Sequence, residues 1–208
     1  MTDALHSLPA AGFSDAAGQS QALFRVLMDA LARPGTIGRM PFDIAPPAPL
    51  TPEVAAVALT LADREAPLWL DAALSEAEAV SSYLRFHTGA PVVGDPADAA
   101  FALISDPGRM PALETFAQGL EDYPDRSTTL VIAAETITAA PADDAGALVL
   151  EGPGIAGRAA LAVAPLPADF RAQLRRNRAR FPRGVDCLFA GGGRIAAIPR
   201  SSTLIEGM

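Results

Sequence analysis

The chain has no lysine: all 16 of its basic residues are arginine. A P-loop needs its lysine on the phosphates, and a pyridoxal phosphate (PLP) enzyme needs one for the Schiff base, so neither chemistry is open to this chain acting alone. Cysteine is almost as scarce. Cys187 is the one thiol, which excludes an internal disulfide framework, an iron–sulfur cluster and a cysteine-built zinc site. The two histidines, His6 and His87, lie far apart in sequence and form no paired metal-binding motif. Glu121, Asp122 and Asp125 could meet a magnesium ion, but such a cluster is generic, and no metal site is expected. No apolar run approaches the roughly 20 residues that span a bilayer. The start, MTDALHSLPAAGFSD, lacks the basic and long apolar stretches of a secretory signal. These absences predict a cytoplasmic protein without membrane contact.

What is present is a substantial apolar complement. Half of the 208 residues are hydrophobic and 19% are charged, the balance of a folded protein rather than a disordered one. The length reads as one domain over 1–208, with a flexible arm over 1–12. The net charge of −8 and a pI near 4.7 argue against nucleic acid as a partner. That charge is segregated. Six arginines fall between Arg171 and Arg183 with no acid among them, while the other ten basic residues face 24 acidic ones, leaving the remainder at −14. A segment of this kind can hold phosphate, dock on an acidic partner or neutralise the acidic body of its own chain.

Periodicity and punctuation divide the chain into elements. A helix is expected over 15–32, capped by Ser14, with Leu23, Leu27, Ala30 and Leu31 as its apolar stripe and Pro34-Gly35 as its stop. A proline-rich connector covers 41–50. Thr51-Pro52-Glu53 opens a helix to about Asp63. Leu68-Trp69-Leu70 is a short buried strand, and Ser75-x-x-Glu78 a capping box opening a helix to about Phe86. Strands over 91–93 and 101–104, a helix over 111–118 and a central strand over 128–133 follow. Strands over 147–150 and 159–163 flank a Gly-Pro-Gly turn. A helix over 167–180 carries the arginines, its Phe170, Leu174 and Phe181 facing inward. A hairpin over 185–190 and 194–198 turns through Gly191-Gly192-Gly193. Helices interleaved with strands predict an α/β fold: a single three-layer domain with a mixed central sheet and helices on both faces.

Several segments are candidates for function. His87 ends a helix within Leu84-Arg85-Phe86-His87-Thr88-Gly89, where an imidazole can act as base, ligand or simple cap. With His6 in the arm, it is the one histidine placed for catalysis, and Arg85 beside it is a binding candidate. The polar loop Glu121–Ser127 feeds the central strand and supplies Tyr123, Asp125 and Arg126; it is also a good turn. A triad of Ser127, His87 and Asp125 can be written, but no G-x-S-x-G motif stands behind it. Arg183 and Asp186, in Phe-Pro-Arg-Gly-Val-Asp, complete the binding candidates. The turns at Gly152-Pro153-Gly154 and Gly191-Gly192-Gly193 read as tight hairpins rather than anion cradles.

The ordered set GFSD, FRVLMDALARPGTI, LTLADREAPLWLD, LRFHTGAPVV, YPDRSTTLVI, LEGPGI, FPRGVDCLFA and AAIPRSS, spread over nearly the whole chain, resembles the PhnH family of the bacterial carbon–phosphorus lyase machinery. The resemblance implies a fold similar to the large domain of PLP-dependent transferases, without PLP. It implies a homodimer that joins PhnG, PhnI and PhnJ subunits. With PhnL, that assembly is associated with moving the ribose of ATP onto a phosphonate. Adenine is released and a ribose 1-phosphonate 5-triphosphate is formed, before a radical subunit cleaves the carbon–phosphorus bond. The single cysteine separates this chain from the radical subunit. The resemblance transfers no catalytic residue. It favours a structural or co-catalytic subunit, with a phosphonate or ATP-derived molecule as a further ligand. The alternative is an independent enzyme or binding module for an anionic small molecule, using His87, Asp125 and arginines.

Overall fold

The computed structural model describes residues 10–144 and 146–205. Residues 1–9 of the expected arm, with His6, lie outside them; residues 10–12 are placed and packed. Helix α1 (Ala16–Ala32) is capped by Asp15, whose carboxylate accepts from the Gly18 N–H. Ser14, the expected cap, bonds the Gln19 side chain instead. The stripe of Leu23, Leu27 and Ala30 is buried as its spacing predicts. Strand β1 (Gly38–Arg39) precedes the connector. Helix α2 (Pro52–Leu61) starts as expected, with Thr51 accepting from the Val54 N–H and proline in the first turn. Strand β2 (Leu68–Leu70) runs into a short helix, α3 (Ala72–Ser75), capped by Asp71. The expected capping box does not form. Ser75 closes α3 by donating to the Ala72 carbonyl, and α4 (Glu78–Thr88) begins without a side-chain cap.

Strands β3 (Val92–Val93) and β4 (Phe101–Ile104) come next. The expected helix over 111–118 is absent; the segment holds one 3-10 turn, Leu113–Thr115. Tertiary hydrogen bonds outcompete the helix there. The Leu113 N–H donates to Gln173, and the Gln118 amide donates to the carbonyls of Leu113 and Phe116. Strands β5 (Thr129–Ala133), β6 (Thr136–Ala139), β7 (Leu148–Glu151) and β8 (Ala159–Ala164) lead to helix α5 (Phe170–Ala179), and strands β9 (Asp186–Gly191), β10 (Arg194–Ile198) and β11 (Thr203–Ile205) close the described chain. The β9–β10 hairpin turns on Gly192 and Gly193, both with positive φ (58° and 68°), as a tight primed turn requires.

A seven-stranded mixed sheet in the order β1-β10-β9-β5-β4-β2-β3 forms the centre. Strands β3, β2, β4, β5 and β9 are mutually parallel, with Phe101, Thr129 and Asp186 in line at their entry ends, and β10 and β1 are antiparallel. Helices α1, α2 and α4 cover one face, packing Leu23, Val57 and Leu84 on Leu103, Val131 and Leu188. Helix α2 is buried across Val54–Ala58, as befits the innermost helix of that layer. The other face does not carry a helical layer alone. A second, antiparallel sheet in the order β11-β7-β8-β6 covers it beside α5, with Leu150, Leu161 and Phe170 meeting Ile132 and Phe189. The expectation of helices on both faces is corrected accordingly. Among the described residues no helix is long and apolar enough to cross a membrane.

Cys187 lies in β9 with no exposure, its side chain in the cluster against the second sheet. Burial, and then the neighbouring Asp186 charge, push its thiol well above the usual range. A thiol reagent should leave the native protein unmodified and label it once per chain after denaturation; fast labelling of the native protein would contradict this packing.

Candidate functional site

The loop carrying Tyr123, Asp125 and Arg126 meets the turn carrying Arg183 and Asp186 at the end of the central sheet where β5 and β9 begin. Asp186 is not free to bind a ligand. The Arg200 guanidinium grips it through Nη2 at 2.8 Å and Nε at 3.2 Å, and the Arg200 N–H adds a bond of 2.7 Å. The same guanidinium donates to the carbonyls of Gly184 and Pro124, so one part-buried ion pair fastens the loop before β5 to the turn before β9. That turn is shaped by its own residues. Asn177 of α5 bonds both the N–H and the carbonyl of Val185 at 2.8 Å. Gly184 (φ 120°) lies so close to Asn177 that a Cβ would fall 2.7 Å from its Oδ1.

What this scaffold presents outward is apolar, cationic and, at Glu121, Asp122 and Asp125, acidic. Leu120, Tyr123 and Phe181 are 57%, 50% and 50% exposed. Phe181 thus points to solvent, against the expectation that it packs inward. The Arg126 guanidinium lies 4.3 Å from the centre of the Tyr123 ring, and that of Arg178 lies 4.7 Å from the Phe181 ring. Arg183 is exposed, and its side chain makes no hydrogen bond, ion pair or ring contact among the described residues. The rest of the arginine segment is engaged within the fold. Arg180 pairs with Glu114 at 3.4 Å, Arg176 lies near Asp169 and Glu114, Arg178 donates to Thr203, and Arg171 donates to the Ala147 carbonyl; Arg175 has a partner too. Much of the cationic cluster therefore staples α5 to its surroundings.

Arg85 and His87 stand apart from this end. Arg85 is exposed on α4. The His87 Nε2–H donates to the Ala10 carbonyl at 2.9 Å, and the ring is flanked by Tyr83 and Phe86. Gly12 presses so closely that a Cβ there would fall 2.9 Å from the ring. His87 thus holds residues 10–12 of the expected arm. Among the described residues no hydrogen bond joins it to Asp125, and the Ser127 hydroxyl is buried without a partner. The triad of Ser127, His87 and Asp125 does not assemble.

A crevice that no candidate motif of the sequence marked lies at the opposite, carboxyl ends of the parallel strands. From β2 the chain turns into the helical layer (Leu74, Val80), whereas from the adjacent β4 it turns to the other face (Met110, Leu113, Phe116). Neighbouring parallel strands that diverge in this way leave a gap at their carboxyl ends, the usual ligand position in open α/β sheets. The gap measures about 500 Å³ and is lined by Trp69, Asp71, Ala72, Ala73, Glu76, Asp106, Arg109 and Pro111. Asp71, 7% exposed, fixes both walls. Its carboxylate accepts from the N–H groups of Leu74, Ser105 and Asp106 and from the Ser105 hydroxyl. A strand ending in aspartate before Ala-Ala-Leu was the signal for it. Among the described residues no group of three or more His, Cys, Asp or Glu could hold a metal ion.

Comparison with known proteins gives concordant matches. The family model described as "Bacterial phosphonate metabolism protein (PhnH)" matches residues 11–205. A Rhizobium meliloti (strain 1021) protein named alpha-D-ribose 1-methylphosphonate 5-triphosphate synthase subunit PhnH is 40% identical over 192 residues, which span 92% of this chain and 93% of that protein.

Asp71→Ala would strand three backbone donors near the crevice. A stability loss of about 3 kcal/mol is expected, because hydrogen bonds to a charged acceptor contribute more than neutral ones. Urea unfolding should show a lower midpoint at an unchanged slope, with a smaller loss for Asp71→Asn.

Proposed function

The chain belongs to the PhnH family of bacterial phosphonate metabolism proteins, and from that membership we propose that it works as a subunit of a synthase forming ribose 1-alkylphosphonate 5-triphosphate. The observation that carries this reading is the near full-length match to a synthase subunit at 40% identity. Its place is the cytoplasm, in organic phosphonate breakdown by the carbon–phosphorus lyase route. Its partners are a second copy of itself and subunits of the PhnG, PhnI and PhnJ kinds. We take the whole chain as one domain, of a kind similar to the large domain of PLP-dependent transferases.

The role is structural or co-catalytic. The one histidine in the described residues is spent on Ala10, and Asp186 on Arg200. No lysine is present to hold PLP. The surface of Leu120, Tyr123, Phe181, Arg126 and Arg183 is the part of the molecule best suited to a sister subunit. Protein interfaces are enriched in aromatic side chains and arginine, with a few of them carrying most of the binding energy. Here the backbone beneath these side chains is pinned by Arg200, so little ordering cost accompanies docking.

Co-expression with tagged sister subunits tests this. The wild-type chain should co-purify with them and, alone, should not turn over ATP with methylphosphonate. The double variant Tyr123→Ala, Phe181→Ala should weaken the association by about tenfold or more, and Arg183→Glu should weaken it further. A chain that joins none of the sister subunits, or turnover by the isolated chain, would defeat the proposal.

A further inference from the structure

Three exposed charged side chains line the crevice between β2 and β4, and no ion pair joins them. Glu76, Asp106 and Arg109 line it together. Elsewhere Arg33, Arg158, Arg176, Arg180 and Arg200 each lie against a carboxylate. Arg109, with two carboxylates in the same crevice, has no ion-pair partner among the described residues. Glu76 likewise has no partner there. Asp106 spends Oδ1 on the Gly108 N–H, which leaves Oδ2 as an acceptor. Asp71, by contrast, is saturated by donors from the segments that follow β2 and β4 and serves only to hold the walls. The remaining lining is apolar and flat: Ala72, Ala73, Pro111 and the indole of Trp69, itself braced edge-on against Phe116 with ring centres 5.4 Å apart.

We propose that this crevice binds a ribose phosphate or nucleoside monophosphate. The oxyanion would sit on Arg109, sugar hydroxyls would donate to Glu76 and Asp106, and a ring face would lie along Trp69, Pro111 and the two alanines. The volume of about 500 Å³ falls in the range of small-molecule sites, which combine an apolar lining with a few convergent polar groups. Carboxylates at such a strand end suit ribose hydroxyls, because an ionised carboxylate offers acceptors and no donor. The charge balance restricts the anion. The lining sets Asp71, Glu76 and Asp106 against the one guanidinium of Arg109, so a second or third phosphate meets negative charge with no further cation in the lining. A monophosphate is therefore the favoured form and a free triphosphate is disfavoured.

The test uses the full chain. Trp69 is its one tryptophan, so tryptophan fluorescence reports on this crevice. Ribose 5-phosphate, AMP, metal-free ATP and inorganic phosphate are titrated separately. Saturable responses are expected with ribose 5-phosphate and AMP; whichever of the two is tighter shows whether a base contributes. ATP and inorganic phosphate should each bind about tenfold more weakly or worse. Arg109→Glu should abolish the response, with Arg109→Gln as the milder replacement if that variant loses thermal stability. Glu76→Gln should weaken the sugar ligands by about tenfold while leaving the weak response to inorganic phosphate in place. The absence of any saturable response at millimolar ligand, an unchanged response in both Arg109 variants, or tighter binding of ATP than of AMP would overturn the site. Capture of sister subunits by Arg109→Glu should stay intact, so a failed ligand site and a failed subunit assignment give different results.

Discussion

Strands β5 and β9 run through the middle of the seven-stranded sheet with apolar side chains on both faces. Leu130, Ile132 and Phe189 turn toward the second sheet, and Val131, Ala133 and Leu188 toward the helices. A strand covered on both sides has no face to offer a ligand or partner, and every backbone polar group in it must be paired within the sheet. Polar chemistry is thereby driven to the strand ends. The two regions of functional interest lie there, one at the entry ends of β5 and β9 and the other at the carboxyl ends of β2 and β4.

Each end is organised by one anionic side chain that does not itself face a partner. At the carboxyl ends, Asp71 gathers donors from two segments that diverge to different layers. At the entry ends, Asp186 receives Arg200, which reaches on to Pro124 and Gly184. The contrast with α5 is instructive. The pairs that Arg176 and Arg180 make with Glu114 are about half exposed on both sides, and such pairs contribute on the order of 0–1 kcal/mol. The Arg200–Asp186 pair, with both side chains at 17% exposure, is bidentate and carries additional carbonyl contacts, a stronger class of interaction. The densest run of arginine in the chain is thus not where the most structurally consequential arginine sits.

Elements with strong local signals were legible before the structure. Thr51-Pro52-Glu53 opened α2, the apolar run of β5 marked the sheet centre, and the glycines of the β9–β10 turn marked the hairpin. The failures were tertiary in origin. In β6, Ile137 is the one buried residue among exposed neighbours, too faint a period to read, and β1 spans two residues. Without β6 and β11 the second sheet could not be assembled, and its face was assigned to helices. At the candidate sites, the Phe-Pro-Arg-Gly turn and the Tyr123 loop were visible as motifs. Their union depends on Arg200, some 14 residues beyond Asp186. The crevice escaped because Asp71, at the end of LTLADREAPLWLD, and Ser105 are 34 residues apart. His87 drew attention by rarity, yet its bond to Ala10 spans 77 residues.

The rim of the central sheet also constrains assembly. Its outermost strands, β1 and β3, are two residues long each, so an incoming strand would find almost no unpaired backbone ladder there. Brief edges of this kind protect a sheet from adding foreign strands. Recognition by strand addition relies on a longer open edge, and at this rim that route is closed. A larger assembly built on this fold does not grow by prolonging its principal sheet.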